Sequence, residues 1–515
     1  MRTKRAILNI LSSGLYQIIS IVCGLIVPRL ILKYYGSTYN GVYASLTQLL
    51  SMISVLMIGL AGATRVELYK SLATNDVLAT SRIMKATKIF MHKVGVALLI
   101  YSAALLVIYP FVSHNELSFF ENDVLILIVS MSVFGEYFFA VPNKTLLTAD
   151  QTGYISQNVY SVARITETLL TILLISIGCS IFLVKGASSL VFLLAPIVLN
   201  LYVKKKYKLR SDCEPDNSGI RKRKAVMFHS IANIIHNNSD IVILTMFADA
   251  RILSVYSVYY LVLGKMKSIM QIFTTGLEAA FGNMWVKGEM DTLRKRFSMC
   301  EHGLYCFVGV VFSCVGVLIL SFVALYTSGV TDANYHVVSF AILATITEAV
   351  YCIREPYIIL VQAAGKYEET KNGAAVEAGI NLVLSLVLVK PLGINGVIVG
   401  TLVANVFRTV QYMIFASKYI LNVSIARNIK KVIWLVVTSG LVVVFYASMG
   451  HSIKIYSGWI GWLIQSACVF SVASLIVLAM SLLFYRPCVI QLFTILKRKK
   501  ENHTEEGKAN EPEGI

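Results

Sequence analysis

Stretches of roughly 17 to 30 apolar residues recur from one end of the chain to the other, and no other feature limits its fold so tightly. A helix rises about 1.5 Å per residue, so each stretch is long enough to cross the ~30 Å hydrocarbon core of a bilayer. They fall near 7–32, 41–62, 94–112, 123–142, 155–177, 181–203, 225–248, 252–284, 303–326, 337–362, 372–389, 394–416, 432–449 and 459–485, about fourteen in all. Of the 515 residues 57% are hydrophobic and only 14% charged, too few polar groups to cover a soluble globule. The N-terminus (MRTKR) begins like a signal peptide. The apolar run behind it is about 26 residues long and has no small-residue cleavage site, so it reads as a retained first helix.

The cations test this division. An even number of spans puts both termini on one side, and the connections assigned to that side hold 35 of the 46 Lys and Arg. The opposite side holds Lys33, Lys185, Arg251, Lys390 and Lys454, and six cations lie within spans. By the positive-inside rule both termini are expected in the cytoplasm. The formal charge of +18 then faces anionic lipid, and no nucleic-acid partner is needed to explain it.

Several connecting segments have a character of their own. Residues 204–224 (KKKYKLRSDCEPDNSGIRKRK) are basic and polar and divide the chain, as a linker between bundles would. Residues 64–88 space their apolar side chains like an interfacial helix. The tail from 486 reads as cytoplasmic, and from Lys497 onward it lacks an apolar face and is expected to be disordered.

The halves repeat. Gly41-Val42-Tyr43 opens the second span and Ser254-Val255-Tyr256 the eighth, 213 residues on. The fourth span ends GEYFFAVPNKTLLTADQTGY and the tenth TEAVYCIREPYIILVQAAGKY, which pairs Pro142 with Pro356 at an offset of 214. Six spans separate the units, so they share one orientation and are related by an axis along the membrane normal. The expected architecture is therefore all-α and integral to the membrane. Two parallel-repeat six-helix bundles (1–203 and 225–416) flank a central cleft, with two further helices in 417–485. Such a plan suits alternating access; a duplicated scaffold that moves nothing is the plainer reading.

The spans hold six cations and seven acids, and a charge at mid-bilayer costs several kcal/mol unless it is paired or wetted. A hydrated cavity is the expected explanation, with Arg29, Arg164, Asp240, Lys265, Lys267, Glu348, Arg354 and Arg408 as its candidate lining. Each has a structural alternative. Arg164 and Glu167 stand at i, i+3 and can pair on one helix. Glu348, Arg354 and Glu355 can form an internal cluster, and Glu136, Glu278 and Glu377 can sit near the cytoplasmic headgroups. Arg29 follows Pro28, which is expected to bend the first helix; across the repeat offset Arg29 can face Asp240 instead of a substrate. Lys265 and Lys267 diverge by about 200° on their helix, so one of them needs an acid elsewhere, with Glu348 the natural partner. The 27 tyrosines suit a sugar-lined cavity or interfacial belts. Nine cysteines without a C-x-x-C pair read as small buried apolar residues. No cofactor or metal site is expected.

The run from Arg29 to Tyr43 (R-L-I-L…G-x-x-x-x-G-V-Y), the fourteen-span plan and the parallel halves resemble the polysaccharide-transporter branch of the MOP superfamily, the O-antigen and capsule repeat-unit flippases. The resemblance takes in about residues 1–485. It implies a multi-pass protein of the bacterial cytoplasmic membrane that carries an undecaprenyl-diphosphate-linked glycan to the outer leaflet. Membrane lipid and polysaccharide polymerase machinery are the implied partners, and cavity cations are implied to engage diphosphate and acidic sugars. A MATE-like drug or cation antiporter is the first alternative; its site would be acidic and its spans two fewer. A membrane polymerase or ligase is the second, but every outer loop here is short and no nucleophile–base pair stands out. A passive scramblase or scaffold is the third.

Overall fold

The computed structural model describes residues 2–57, 60–210, 212–216, 238–274, 277–449 and 458–490. The second half of the basic linker, Lys454 and most of the C-terminal tail lie outside the described residues.

The described chain is helical from end to end. Its helices are α1 (Arg2–Ser51), α2 (Leu60–Ala73), α3 (Val77–Val112), α4 (Phe119–Gly135), α5 (Val141–Ala149), α6 (Gly153–Ser176), α7 (Ile181–Tyr207) and α8 (Asn238–Phe247). There follow α9 (Ala250–Thr274), α10 (Leu277–Val286), α11 (Met290–Tyr326), α12 (Val338–Ala363), α13 (Tyr367–Leu392), α14 (Ile394–Phe415), α15 (Ile425–Met449) and α16 (Trp459–Phe484). Among the described residues ten helical stretches are long and apolar enough to cross a membrane. The first, Ile7–Ser54, has 48 residues, about 72 Å of helix and so more than two bilayer crossings' worth. Its backbone keeps helical angles through Pro28 and leaves them at Gly36 (φ 85°, ψ 178°), where only glycine is comfortable. The break between the first two expected spans therefore falls at Gly36.

Other features follow from local chemistry. Asp76 accepts the Ala79 N–H at 2.8 Å and starts α3 after a turn through Asn75 (φ 54°). Ser118 and Glu121 form a capping box at α4. A π-turn over Glu136–Ala140 precedes Pro142, whose ring and missing N–H disturb the preceding turn. Pro356, its repeat counterpart, lies within continuous α-helix.

The described chain forms two compact units. The first takes in Met1–Leu261, Tyr326–Tyr335 and Ala378–Thr401; the second takes in Val262–Leu325, His336–Glu377 and Leu402–Ile515. The first unit has one core around Leu46, Leu50, Val94, Leu98, Leu125 and Ile126 and another around Leu68, Met84, Leu146, Leu147 and Leu199. In the second, α11, α15 and α16 pack through Cys314, Leu318, Val442, Val469 and Ala473. Large apolar side chains also point outward, among them Ile100, Val107, Leu190, Ile460 and Leu483. In water such a surface would be a liability; in lipid it is the solvent-facing side.

A clamp closes one end of the first unit. Arg5 donates to the Asp150 carbonyl at 3.1 Å, and Lys206 and Tyr207 donate to its carboxylate at 3.0 and 2.6 Å. Burial opposes ionisation of Asp150. The hydrogen bonds from Tyr207 and Lys206 and the charges of Lys206 and Arg5 outweigh it and hold the carboxyl below its usual range. Part of the linker also docks on α3, with the Arg210 N–H on the Ser81 hydroxyl at 3.0 Å and the Asp216 N–H on the Arg82 carbonyl at 3.2 Å.

Candidate functional site

Four of the expected site residues meet in the second unit. On α12, Glu348, Tyr351 and Arg354 follow at intervals of three, each about 60° round from the last, so they wind as a stripe along one side. Arg354 is 3% exposed and donates to Glu377 of α13. Arg408 of α14, 2% exposed, lies 3.5 Å from the same carboxylate. It also donates to the Thr370 carbonyl (2.8 Å), Gln411 (2.5 Å) and the Tyr412 hydroxyl (2.9 Å). The approach depends on Gly373: a Cβ there would stand 1.7 Å from Gln411 Oε1 and 2.2 Å from Arg408 Nη1.

The other end of the stripe is looser. Lys267 of α9 lies 3.8 Å from Glu348, an ion-pair separation without a hydrogen bond. Its ammonium sits 3.4 Å from the centre of the Tyr351 ring, whose electrons also face the Arg354 guanidinium at 4.3 Å. Lys267 is thus the lysine that faces the acid, while Lys265 is half-buried on the same helix.

The remaining expected residues lie in the first unit. Arg164 pairs with Glu167 at 2.7 Å on its own helix, and its guanidinium lies 5.0 Å from the Phe192 ring. Arg29 donates to the carbonyls of Tyr326 and Ser328, the latter at 2.8 Å. Helix ends leave such carbonyls open, and a guanidinium there answers both the hydrogen bonds and the negative pole of the dipole. Asp240 is 4% exposed. Its carboxylate accepts from Thr401 at 2.8 Å and from Tyr256 at 3.2 Å. Asn381 donates to Thr401 at 2.9 Å and accepts from Ser239 at 2.7 Å. This knot of hydroxyls, one amide and one carboxylate holds α8, α9, α13 and α14 together. Gly396 and Gly400 bring the last two close: a Cβ at Gly400 would lie 2.4 Å from Ser385 Oγ.

Four buried charges were not expected from the sequence. Glu377 had been placed with the headgroups and is instead 7% exposed between two arginines. Glu301 and Lys431, assigned to cytoplasmic connections, are 0% and 1% exposed and bond to each other, with Tyr357 also donating to Glu301. Lys185, assigned to an outer loop, is buried with its ammonium 3.7 Å from the Tyr43 ring. In each case the partner is far away in sequence, and only the local polarity was legible. A further feature is an apolar cleft between α15 and α16, lined by Val442, Phe445, Val469 and Val472 and bordered by Gln465 and Tyr446.

No protein-family model matches the chain, and no curated protein matches it. Solved structures do. A lipid II flippase MurJ in an inward closed conformation superposes with a TM-score of 0.69 at 14% identity, over 94% of this chain and 100% of that one. The chain has the MurJ- and MATE-like fold. An inward-facing multidrug resistance MATE family transporter of the MOP superfamily gives 0.58 at 12% identity, over 80% of this chain and 97% of that one. The Vibrio cholerae MATE transporter VcmN in its bent form gives 0.52 at 13% identity, over 81% and 97%.

Proposed function

We propose that this protein is a flippase of the bacterial cytoplasmic membrane. It moves an undecaprenyl-diphosphate-linked oligosaccharide from the inner to the outer leaflet by alternating access, for assembly of a surface polysaccharide. The observation that carries this reading is the extent of the fold match. The likeness to MurJ takes in 94% of the chain, that to the MATE structures about 80%. The margin is about the length of a helix pair such as α15 and α16, which a twelve-span transporter would not need. The cleft between those helices offers an isoprenoid chain an apolar bed.

The charges favour an anionic over a cationic cargo. Glu348, Glu377, Glu167 and Glu136 each already face a Lys or Arg, so a cationic drug would have to turn to an acid such as Asp240, which is bonded to Thr401 and Tyr256. Lys267, held to its acid without a hydrogen bond, suits a site that grips a diphosphate and lets it go. A permanent hydrogen-bonded ion pair would resist that exchange.

Deletion and complementation test the reading. Loss of the gene should trap lipid-linked repeat units on the inner leaflet, and Lys267→Gln should complement about tenfold less well at normal membrane abundance. Full complementation by Lys267→Gln removes this lysine from the cargo site. Unchanged surface glycan in the deletion strain, combined with drug sensitivity, would favour the antiporter.

A further inference from the structure

The repeats meet each other at a polar seam, and one of its contacts falls within a residue of the repeat offset. Asn40 donates to the Ser254 hydroxyl at 2.8 Å and to Ser257 at 3.1 Å. Ser254 is the counterpart of Gly41, the neighbour of Asn40, and a Cβ on Gly41 would stand 3.1 Å from the Ser254 nitrogen. A residue can touch its own counterpart only on or beside the axis relating the two, so this contact marks the axis. Here the backbones nearly touch: a Cβ on Gly41 would stand 1.7 Å from the Ala250 carbonyl oxygen. Ser45 and Thr245 share a hydrogen bond of 2.7 Å one turn further along.

Two clasps flank this point, and they are reciprocal. The loops 113–118 and 327–336 begin 214 residues apart, as do the helix starts at Ser37 and Arg251, and the second loop is the longer. Asp332 of one loop accepts the Ser37 N–H at 2.7 Å and the Ser37 hydroxyl at 2.6 Å. It thereby caps the helical segment that restarts after Gly36. Tyr335 of that loop bridges Ser37 (2.6 Å) and Ser254 (2.7 Å). The other loop treats the other helix alike. His114 accepts the Ala250 N–H at 3.1 Å, and both oxygens of Glu116 lie 2.7 Å from Arg251 Nη2.

We propose that these reciprocal clasps, closed over the Asn40–Ser254 contact, form a releasable latch on the outer side, which must part for cargo to leave. The inference rests on the transporter reading and on the side assigned by the charge asymmetry. The chemistry suits repeated opening. The seam is made of Ser, Asn, Thr and Tyr, so water can replace each hydrogen bond as it breaks. The clasp acids sit at the wet rim, Glu116 with 64% of its side chain exposed. Gly41 permits the close approach in the shut state and asks nothing of the open one.

The test uses the full-length protein with its nine cysteines replaced. Glu116→Cys with Arg251→Cys is joined by a short, reducible bis-thiosulfonate. Glycan export should fall more than about tenfold and return on reduction. Opening is read without reference to cargo through Ser254→Cys, a buried position labelled by an impermeant maleimide only when the seam parts. Asp332→Asn with Glu116→Gln should speed that labelling about five- to tenfold, and Gly41→Ala should speed it further. Export that persists with the clasp joined, or labelling that none of these changes alters, overturns the latch. If labelling responds as expected while the deletion strain shows no glycan defect, the latch stands and the cargo assignment falls.

Discussion

Each end of the α12 stripe sets cations against one glutamate, and the two behave differently. At the Arg354 end two guanidiniums share one carboxylate, Arg408 gains three further acceptors, and a glycine clears space for it. At the Lys267 end one ammonium stands off its acid, 18% of its side chain remains exposed, and Glu348 Oε2 accepts no hydrogen bond among the described residues. Taking charges out of water costs several kcal/mol per ion, which only near-complete bonding recovers. The first end comes nearer to that condition, although Arg354 Nε is buried without an acceptor among the described residues, while the second rests on a longer ion-pair contact and a ring face. Charge in a membrane segment is therefore a poor guide to function by itself; the closeness of its ion pair is the better one.

The sharpest way to break this contrast is Glu377→Ala. It leaves Arg354 and Arg408 facing each other without their shared anion, at a cost of about 3–5 kcal/mol. The protein should largely disappear from the membrane, and what remains should melt far below the wild type in detergent. A wild-type Tm would mean that the arginine end is no more structural than the lysine end. Lys267→Gln sharpens the contrast from the other side, since its deficit should appear in export and not in melting. Tyr351 joins the two ends through its ring, with Lys267 at 3.4 Å and Arg354 at 4.3 Å. Tyr351→Leu should cost about 1–2 kcal/mol of stability and also lower export, while Tyr351→Phe keeps the ring and should stay close to wild type. Equal behaviour of the two variants would assign the effect to the hydroxyl.

How far the sequence reveals this depends on how local each feature is. Apolar runs placed the helices closely, because crossing a bilayer requires a continuous segment. The gap they left between 32 and 41 contains the break at Gly36, but only the backbone shows that it is a single angle within an otherwise continuous helix. The repeat was legible from two short matches, and Asn40 meeting Ser254 gives the offset a physical counterpart. Arg164 with Glu167 was readable because helical spacing dictates it. Glu377 was not: its arginines lie 23 and 31 positions away on other helices, and no periodicity reports on them. Glu301 and Lys431 show the same limit. Counting charge per connection assigned them to water, while tertiary packing draws them inside.

The smallest expected effect is at Arg164, and it tests whether the contrast extends beyond the second unit. Its carboxylate partner is one turn away on the same helix, and its side chain is 31% exposed. A pair at i, i+3 contributes about 0.2–0.5 kcal/mol, and the Phe192 ring adds on the order of 0.5–1 kcal/mol. Glu167, more buried than its partner, bears most of the loss when the arginine goes. Arg164→Gln keeps a hydrogen-bond donor within reach of that carboxylate, so the net change in stability should stay near 1 kcal/mol or below. Export and abundance should both remain within about twofold of wild type, read as surface glycan per unit of membrane protein. Severe loss of export at normal abundance would show that a locally satisfied arginine can still serve the cargo. The closeness of the ion pair would then no longer separate the working end of the α12 stripe from the structural one.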